Sequence, residues 1–239
     1  MKIAIGISGI YRPKVGDVFK NLNDIQQKFN ADMYYHTWDN RVAEVPDLYK
    51  FGNFYTSPEP VMTYHPVFDP IPTENKKHHW YRETKTFATK TIHGNKQILG
   101  YCNLYDHIPK KYDLYIRTRW DVKILPSFDF AEWYDLALEK GPVGFMIREG
   151  PGPNYFNFSE PKGRMVEKDD SNKDNNDWFQ MLSDCLIMHT ADQLDTSHVY
   201  NLHEQKQLLA SEWGWWQVLS KPFGGVDHTS VYGGVKLLR

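Results

Sequence analysis

The stretch that decides the fold is Asp113-Leu114-Tyr115-Ile116-Arg117-Thr118-Arg119-Trp120-Asp121-Val122, near the middle of the 239-residue chain. It begins as a short apolar strand and ends in ionisable residues spaced two apart. Because side chains alternate between the faces of a strand, Arg117, Arg119 and Asp121 are predicted to share one side. Thr118 and Trp120 then take the other side. The stretch predicts a sheet strand with a charged cluster at its end.

This charged cluster has two interpretations. Guanidinium groups match phosphate oxygens in a bidentate way, and ligands of open α/β sheets bind beyond the carboxyl ends of the strands. Arg117, Arg119 and Asp121 are therefore candidates for binding a phosphorylated ligand. A structural Arg–Asp–Arg salt bridge at the rim of the sheet gives the same pattern, and the spacing alone does not favour either interpretation.

The composition excludes several broad classes of function. Lys and Arg total 28 against 30 Asp and Glu, a net charge of -2, which argues against general binding to nucleic acid or membrane surfaces. The two cysteines, Cys102 and Cys185, have no metal-ligand spacing and favour a reducing compartment. No apolar run approaches the length of a membrane span. We therefore expect phosphate recognition to be local.

Strands and helices alternate along the chain, which predicts one α/β domain over residues 1–239. The region 74–107 has helical spacing that Gly94 and Gly100 are expected to divide into two helices. A short β-rich tail closes the chain. The other predicted strands lie at 2–8, 32–36, 142–147 and 183–189, and the other predicted helices at 15–29, 130–139, 191–200 and 203–220.

Two segments lack regular patterns. Residues 39–73 are rich in proline and aromatic residues, and a connection of this length inside a domain is usually functional or mobile. Residues 150–177 are rich in Pro, Asn, Asp and Lys, and residues 167–177 contain no apolar side chain. Such a segment cannot offset its ordering entropy by burial. We predict a mobile surface loop at 150–177 that can serve as a lid.

Several motifs together resemble a known family. The chain is similar to the small nucleotide-sugar-dependent glycosyltransferases of GT-A type found in bacterial surface-polysaccharide clusters and in large viruses and phages. The resemblance spans most of the chain, and the Arg-x-Arg-x-Asp strand end is its most specific part. The motifs that carry it are Ser8-Gly9-Ile10-Tyr11-Arg12-Pro13, His36-Thr37-Trp38, the stretch 112–122, Ser183-Asp184 and Glu212-Trp213-Gly214-Trp215-Trp216.

The resemblance implies a fold and an activity. The fold would be GT-A-like (Rossmann-like), with a mostly parallel central sheet flanked by helices and with irregular loops. The activity would be transfer of a sugar from a nucleoside-diphosphate sugar to an acceptor hydroxyl, on a glycan or similar molecule, in polysaccharide biosynthesis. The protein would be soluble and cytoplasmic, in the host cytoplasm for a viral protein, with no membrane span and no nucleic-acid partner.

The same resemblance implies the donor site. Arg12 would reach phosphate or base, Tyr11 would stack on the base, and His36 and Trp38 would flank it. Lys96 and its neighbour Gln97 would contact the donor from the helix that precedes the key strand. The implied donor and phosphate-binding residues are Ser8, Tyr11, Arg12, Lys96, Arg117, Arg119 and Asp121.

A divalent cation is the cofactor that the resemblance implies. Members of this fold usually carry Asp-x-Asp at a mid-chain strand end, where it holds Mn²⁺ or Mg²⁺ against the diphosphate. Here Arg119 stands in place of the first Asp, so two alternatives stay open. Asp121, with His228 from the tail, would hold the ion, or the arginines would stabilise the diphosphate without one.

The catalytic base implied by the resemblance is Asp184 or Glu212. Asp184 opens a late strand after the predicted lid, where a turn or N-cap residue is the structural alternative. Glu212 lies beside tryptophans that would raise its pKa and offer platforms for sugar rings. The alternative for this segment is an amphipathic helix that packs its tryptophans into the core.

Two other functional classes remain open. A non-catalytic carbohydrate- or nucleotide-binding protein would keep the fold without turnover, and the absence of a second Asp beside Asp121 fits such a protein. A sugar nucleotidyltransferase shares the layered α/β fold. It normally has a glycine-rich, basic first loop, which the run Ser8-Gly9-Ile10-Tyr11-Arg12 matches poorly.

Overall fold

The computed structural model shows an α/β fold over the described residues. It shows a mixed, mostly parallel sheet flanked by helices, which confirms this part of the predicted fold. The described residues are 1–11, 18–50, 52–61, 84–125, 128–146, 164–165, 185–208, 214–220, 229–232 and 235–237.

Ten strands and four α-helices follow one another along these residues. The strands are β1 (Ile3–Ser8), β2 (Asp32–Trp38), β3 (Phe54–Ser57), β4 (Leu114–Thr118), β5 (Val122–Ile124), β6 (Val143–Met146), β7 (Arg164–Met165), β8 (Leu186–His189), β9 (Thr229–Tyr232) and β10 (Val235–Leu237). The helices are α1 (Val18–Phe29), α2 (Thr84–His107), α3 (Ala131–Lys140) and α4 (Thr196–Glu204). Shorter helical turns occupy Asp39–Glu44, Asp47–Tyr49, Ala191–Gln193 and Trp216–Ser220.

Eight strands form the main sheet in the order β3-β2-β1-β4-β8-β6-β9-β7. The first four are parallel to one another, β8 is antiparallel to both β4 and β6, β9 is parallel to β6, and β7 is antiparallel to β9. β5 and β10 pair separately as an antiparallel ribbon. Six of the eight strands therefore run in one direction.

The strand order reverses at β1. From β1 the chain first builds outward through β2 to β3, and it then returns through α2 to place β4 on the other side of β1. The register pairs Ile7 with Thr118 near the carboxyl ends of β1 and β4. In open α/β sheets the crevice at such a switch point is where ligands bind. The fold thus brings the end of β4 next to the end of β1.

Both faces of the central strands are buried, which explains the near-continuous apolar runs in their sequences. All residues of β1 and β4 are buried. On one face, here called the α1 side, Ile5, Ile7 and Ile116 pack with Leu22 of α1. The opposite face, here called the α2 side, packs against α2, α4 and the segment with Trp215, Val218 and Leu219.

The prediction of two helices within 74–107 is wrong, because α2 is continuous from Thr84 to His107. Gly94 and Gly100 lie inside this helix and do not break it. A Cβ on Gly100 would lie 3.2 Å from Cζ2 of the buried Trp38, so the glycine allows helix and sheet to approach closely. This packing offsets the helix propensity that glycine lacks, about 1 kcal/mol relative to alanine.

The prediction of one helix over 203–220 is also wrong. α4 ends at Glu204, and Lys206 turns the chain with a φ of 60° before the buried Leu208. The predicted helix over 191–200 is divided into a short turn and α4, because Asp195 caps α4 by accepting hydrogen bonds from the backbone N–H of Ser197 and His198. These local caps and turns outweighed the apolar spacing.

The two segments without pattern contain strands that the sequence did not predict. β3 lies within residues 39–73, where it pairs with β2 and extends the parallel part of the sheet. β7 lies within residues 150–177, and the rest of that predicted loop is outside the described residues. No helix in the described part of the chain is long and apolar enough to cross a membrane.

Candidate functional site

The candidate site lies at the carboxyl ends of β1, β2 and β4. Gly9 follows β1 with a φ of 113°, a backbone conformation that glycine adopts without strain and that turns the chain away from the sheet. Thr37 of β2 donates a hydrogen bond from Oγ1 to the Gly9 carbonyl oxygen at 3.2 Å. This bond joins the end of β2 to the loop that leaves β1.

Arg119 and Asp121 form a bidentate ion pair in the turn after β4. Nε of Arg119 donates to Oδ1 of Asp121 at 2.8 Å, and Nη2 donates to Oδ2 at 2.7 Å. The two side chains are 18% and 7% exposed. The structure therefore shows a salt bridge for these two residues. Whether Arg119 also binds a phosphate remains a prediction.

Arg117 precedes this pair and lies within β4. Its side chain is fully buried on the α2 side, where Nη2 donates to Oε1 of Gln97 at 2.8 Å. Its guanidinium carbon lies 4.8 Å from the ring centre of Trp215, a cation–π distance. β4 ends at Thr118, so Arg117 lies in the strand and Arg119 and Asp121 follow it. That the three side chains share one side stays a prediction.

Ser8 and His36 are neighbours on the α2 side of the sheet. The register pairs them across β1 and β2, and they are 2% and 1% exposed. Nε2 of His36 is 2.9 Å from Oγ of Ser57, which also accepts a hydrogen bond from Nδ2 of Asn103. Burial, with a smaller effect of His107, lowers the pKa of His36 to about 4, so the ring is neutral at pH 7.

Two polar atoms at this place have no hydrogen-bond partner among the described residues, Oγ of Ser8 and Nδ1 of His36. Buried polar groups are nearly always hydrogen-bonded, so each exception asks for an explanation. Ser8 ends β1 at the switch point, and its hydroxyl group has no partner among the described residues. Its role in binding the donor stays a prediction.

Tyr11 belongs to an aromatic cluster on the α1 side, formed by Tyr11, Tyr35, Tyr49 and Trp120. Tyr11 meets Trp120 edge-on at 5.4 Å, and Trp120 stacks on Tyr35 at 5.5 Å. Burial raises the pKa of Tyr35 to about 12. The Tyr11 ring packs into the core in this structure, and its predicted stacking on a base remains a prediction.

Lys96 is held by an acidic residue that the sequence did not single out. Its Nζ donates to Oε1 of Glu59 at 2.7 Å, and Oε2 of Glu59 accepts from Nδ2 of Asn40 at 2.8 Å. The hydrogen bond from Lys96 is the main reason that the pKa of Glu59 lies below its ordinary value. No spacing rule points to Glu59, because it lies in the irregular segment and meets Lys96 only in the folded chain.

Four of the predicted site residues lie outside the described residues. These are the predicted phosphate or base contact, the two candidate bases and the candidate metal ligand of the tail, namely Arg12, Asp184, Glu212 and His228. Their roles stay predictions. Trp38, predicted to flank a base, is described: it is buried on the α2 side and meets His36 edge-on at 5.0 Å.

The described residues include only one of the two predicted metal ligands, Asp121. Within them no group of three or more His, Cys, Asp or Glu side chains could hold a metal ion. The one carboxylate at the predicted position, Asp121, accepts a hydrogen bond from Arg119 on each of its oxygens. A cation there would have to compete with a guanidinium already in bidentate contact.

Comparison with known protein families, with curated proteins and with solved structures finds no match to this chain. The fold is that of an α/β protein with a mixed, mostly parallel sheet, and the candidate site lies at the switch point of this sheet. Its charged side chains follow β4, and its buried polar side chains lie at the ends of β1 and β2.

Proposed function

We propose that the protein is a glycosyltransferase with a GT-A-like domain, which transfers a sugar from a nucleoside-diphosphate sugar to an acceptor hydroxyl, such as one on a glycan. The observation that carries this proposal is the position of the Arg119–Asp121 pair. It follows β4 directly, beside the end of β1, at the point where the strand order reverses. Nucleotides in doubly wound sheets bind in that crevice.

Arg119 has the properties that a diphosphate ligand needs. Asp121 holds its guanidinium in a fixed orientation through two hydrogen bonds, so little side-chain entropy remains to be lost on binding. The pair is mostly shielded from solvent, and charges attract more strongly there than in bulk water. Arg117 is buried against Trp215 and Gln97. These contacts suit a residue that supports the site from inside the core.

The reaction forms one bond and breaks one. The oxygen of the acceptor hydroxyl bonds to the anomeric carbon of the donor sugar, while the bond from that carbon to the diphosphate oxygen breaks. Its electron pair leaves with the nucleotide diphosphate, and Arg119 stabilises the developing charge. In an inverting reaction the hydroxyl proton passes to a carboxylate base, for which Asp184 and Glu212 remain the candidates.

A non-catalytic carbohydrate- or nucleotide-binding protein is the second candidate. The observation that favours it is the engagement of Asp121, whose two oxygens both accept hydrogen bonds from Arg119. A carboxylate held in this way is a poor base and a poor metal ligand. Such a protein would use the switch-point site for binding alone.

The test is donor hydrolysis and transfer measured over a panel of sugar nucleotides, in Mn²⁺ and in EDTA. Arg119→Ala should lower kcat/KM by about 100-fold, the scale for losing a group that stabilises transition-state charge. Arg119→Lys should recover only part of this loss, because an ammonium group lacks the bidentate geometry. Arg41→Ala is the matched control, since it removes a guanidinium from the more exposed Arg41–Glu44 pair.

Three outcomes separate the candidates. Turnover that depends on Arg119 but not on Arg41 supports the transferase. Nucleotide binding without turnover on any donor supports the binding protein. Neither binding nor turnover, with Arg119→Ala indistinguishable from the unsubstituted protein, would rule out both. Activity that survives EDTA would agree with the poor fit of the described residues to a metal ion.

A further inference from the structure

The two unpaired atoms belong to side chains on adjacent strands and on the same face of the sheet. Ser8 and His36 are register partners on neighbouring parallel strands, and such strands are about 4.8 Å apart. Both side chains point to the α2 side. Gly6 shares the face of Ser8, and a Cβ on Gly6 would contact Tyr101 and Leu104 of α2. His36 contacts the same helix, next to Gly100.

The His36 ring is fixed in place. Nε2 is tied to Ser57, whose hydroxyl oxygen also accepts from Asn103 of α2, and the ring lies edge-on to Trp38. A rotation that gave Nδ1 a partner would break the contact with Ser57. Nδ1 is therefore the ring nitrogen that remains for another group.

The chemistry of the two atoms indicates a hydroxyl group as the partner. A neutral imidazole nitrogen either donates or accepts, depending on its tautomer, and the Ser8 hydroxyl does both. A hydroxyl group of a ligand also donates and accepts, so it satisfies Nδ1 in either tautomer and Oγ of Ser8 at the same time. A charged group would be costly here, because both side chains are almost fully buried.

The position of Ser8 and His36 at the ends of β1 and β2 indicates which ligand hydroxyl group they would bind. In doubly wound sheets the nucleotide lies over the end of the first strand, and a side chain near the end of the second strand contacts the ribose hydroxyl. Ser8 ends β1 and His36 lies two residues before the end of β2. We propose that Ser8 and His36 form a buried niche that binds a ribose hydroxyl of the nucleotide. This inference rests on the proposed function, and it adds two specificity residues to it.

Two substitutions of His36 separate binding from structure. His36→Gln can keep the contact with Ser57 but has no atom at the place of Nδ1. His36→Asn places an amide atom near Nδ1 and gives up the contact with Ser57. Ser8→Ala removes the other half of the niche with a change of one atom, which the fold should tolerate. Thermal unfolding of each variant identifies any variant that fails to fold.

The measurement is the affinity of each protein for UDP and GDP and for their 2′-deoxy and 3′-deoxy analogues. The unsubstituted protein should prefer the ribonucleotide by about tenfold over one deoxy analogue, as expected for one lost hydrogen bond to a buried partner. His36→Gln and Ser8→Ala should lose most of this preference. His36→Asn should keep it and unfold at a lower temperature.

Two results would overturn the inference. An equal affinity for the ribonucleotide and both deoxy analogues, or a preference that survives in His36→Gln and Ser8→Ala, would mean that the niche holds an ordered water and no ligand. Those results leave the proposed function intact if UDP or GDP still binds. Failure of both nucleotides to bind the unsubstituted protein would overturn the proposed function together with the niche.

Discussion

The two faces of the central sheet bury different kinds of side chain. On the α1 side the described core is largely apolar and aromatic, from Ile5 and Ile116 to the cluster around Trp120, and the buried side chains of Asn21, Thr37 and Thr118 each have a hydrogen-bond partner. The α2 side buries an arginine, two histidines and a serine among its tyrosines, namely Arg117, His36, His189 and Ser8. The α1 side is therefore mainly hydrophobic packing, whereas the α2 side also buries ionisable side chains.

The two buried histidines of the α2 side show what separates structure from site. His189 is satisfied on both nitrogens, because Nδ1 donates to the Thr190 carbonyl oxygen at 2.8 Å and Nε2 accepts from the Tyr101 hydroxyl at 2.9 Å. His36 is satisfied on Nε2, and within the described residues it has no partner on Nδ1. A complete network favours a structural role, and an incomplete one leaves an atom for a further partner.

The largest expected effect comes from a large-to-small change on the α1 side. Ile116→Ala removes buried methyl groups from a fully buried strand and should lower the free energy of unfolding by about 4 kcal/mol. Urea denaturation measures this loss. Leu138→Ala, at a position that is 54% exposed, is the control and should change stability by less than about 0.5 kcal/mol.

Nucleotide affinity of the folded fraction should stay the same in Ile116→Ala. If the affinity fell as much as the stability, the division between the two faces would be wrong.

The second effect is a loss of stability at acid pH that originates on the α2 side. Burial is the main cause that lowers the pKa of both His36 and His189 to about 4, below their ordinary value. Between pH 6.5 and pH 4 the unfolded chain binds protons that the folded protein does not, so stability falls as pH falls. The slope should be about 1.4 kcal/mol per pH unit for each histidine, up to about 3 kcal/mol each.

Urea midpoints measured from pH 7 to pH 4 test this dependence. Lys110 lowers the pKa of His189 further and Asp192 raises it, but burial has the larger effect. His189→Gln and His36→Gln should each flatten the pH profile below pH 6.5. Above pH 6.5 these two groups should not make stability vary with pH. A profile of unchanged slope in both variants would contradict the assignment.

The smallest effect concerns the ion pair between α2 and the segment after β3. Lys96→Met keeps the aliphatic part of the side chain and removes the charge that Glu59 binds. Because both side chains are partly exposed, the loss of stability should be about 1 kcal/mol and should shrink at high salt. Lys50→Met is the control, because Asp47, its partner, is almost fully exposed.

The Lys96 comparison also tests the predicted donor contact. A fall in donor affinity larger than the fall in stability would support a direct role for Lys96 in binding. Small and equal falls in donor affinity and in stability would mean that Lys96 has only a structural role.

Much of the sheet could be predicted because its signals are local. The apolar runs of β1, β2 and β4 and the helical spacing of α1 and α3 lie within single windows of sequence. The prediction failed at Gly94 and Gly100, where glycine was interpreted as a helix break. Gly100 instead fits the close approach of α2 to Trp38, which no local pattern reveals.

The candidate site was predictable in position but not in its contacts. The sequence placed Ser8, Arg119 and Asp121 at strand ends, and the structure has them there. It did not foresee that Arg117 would turn to Trp215, nor that Glu59 would bind Lys96. Those partners are far away in sequence, and only packing brings them together.

The sequence by itself determined the alternation of strands and helices and the charged residues after β4, because hydrophobic periodicity and strand ends are properties of neighbouring residues. The tertiary structure decided which charges meet, which glycines serve close packing, and which buried polar atoms stay unpaired. The niche of Ser8 and His36 depends on the register of β1 with β2 and on the position of α2 above them. Register and helix docking are set by the whole core, and no local spacing encodes them.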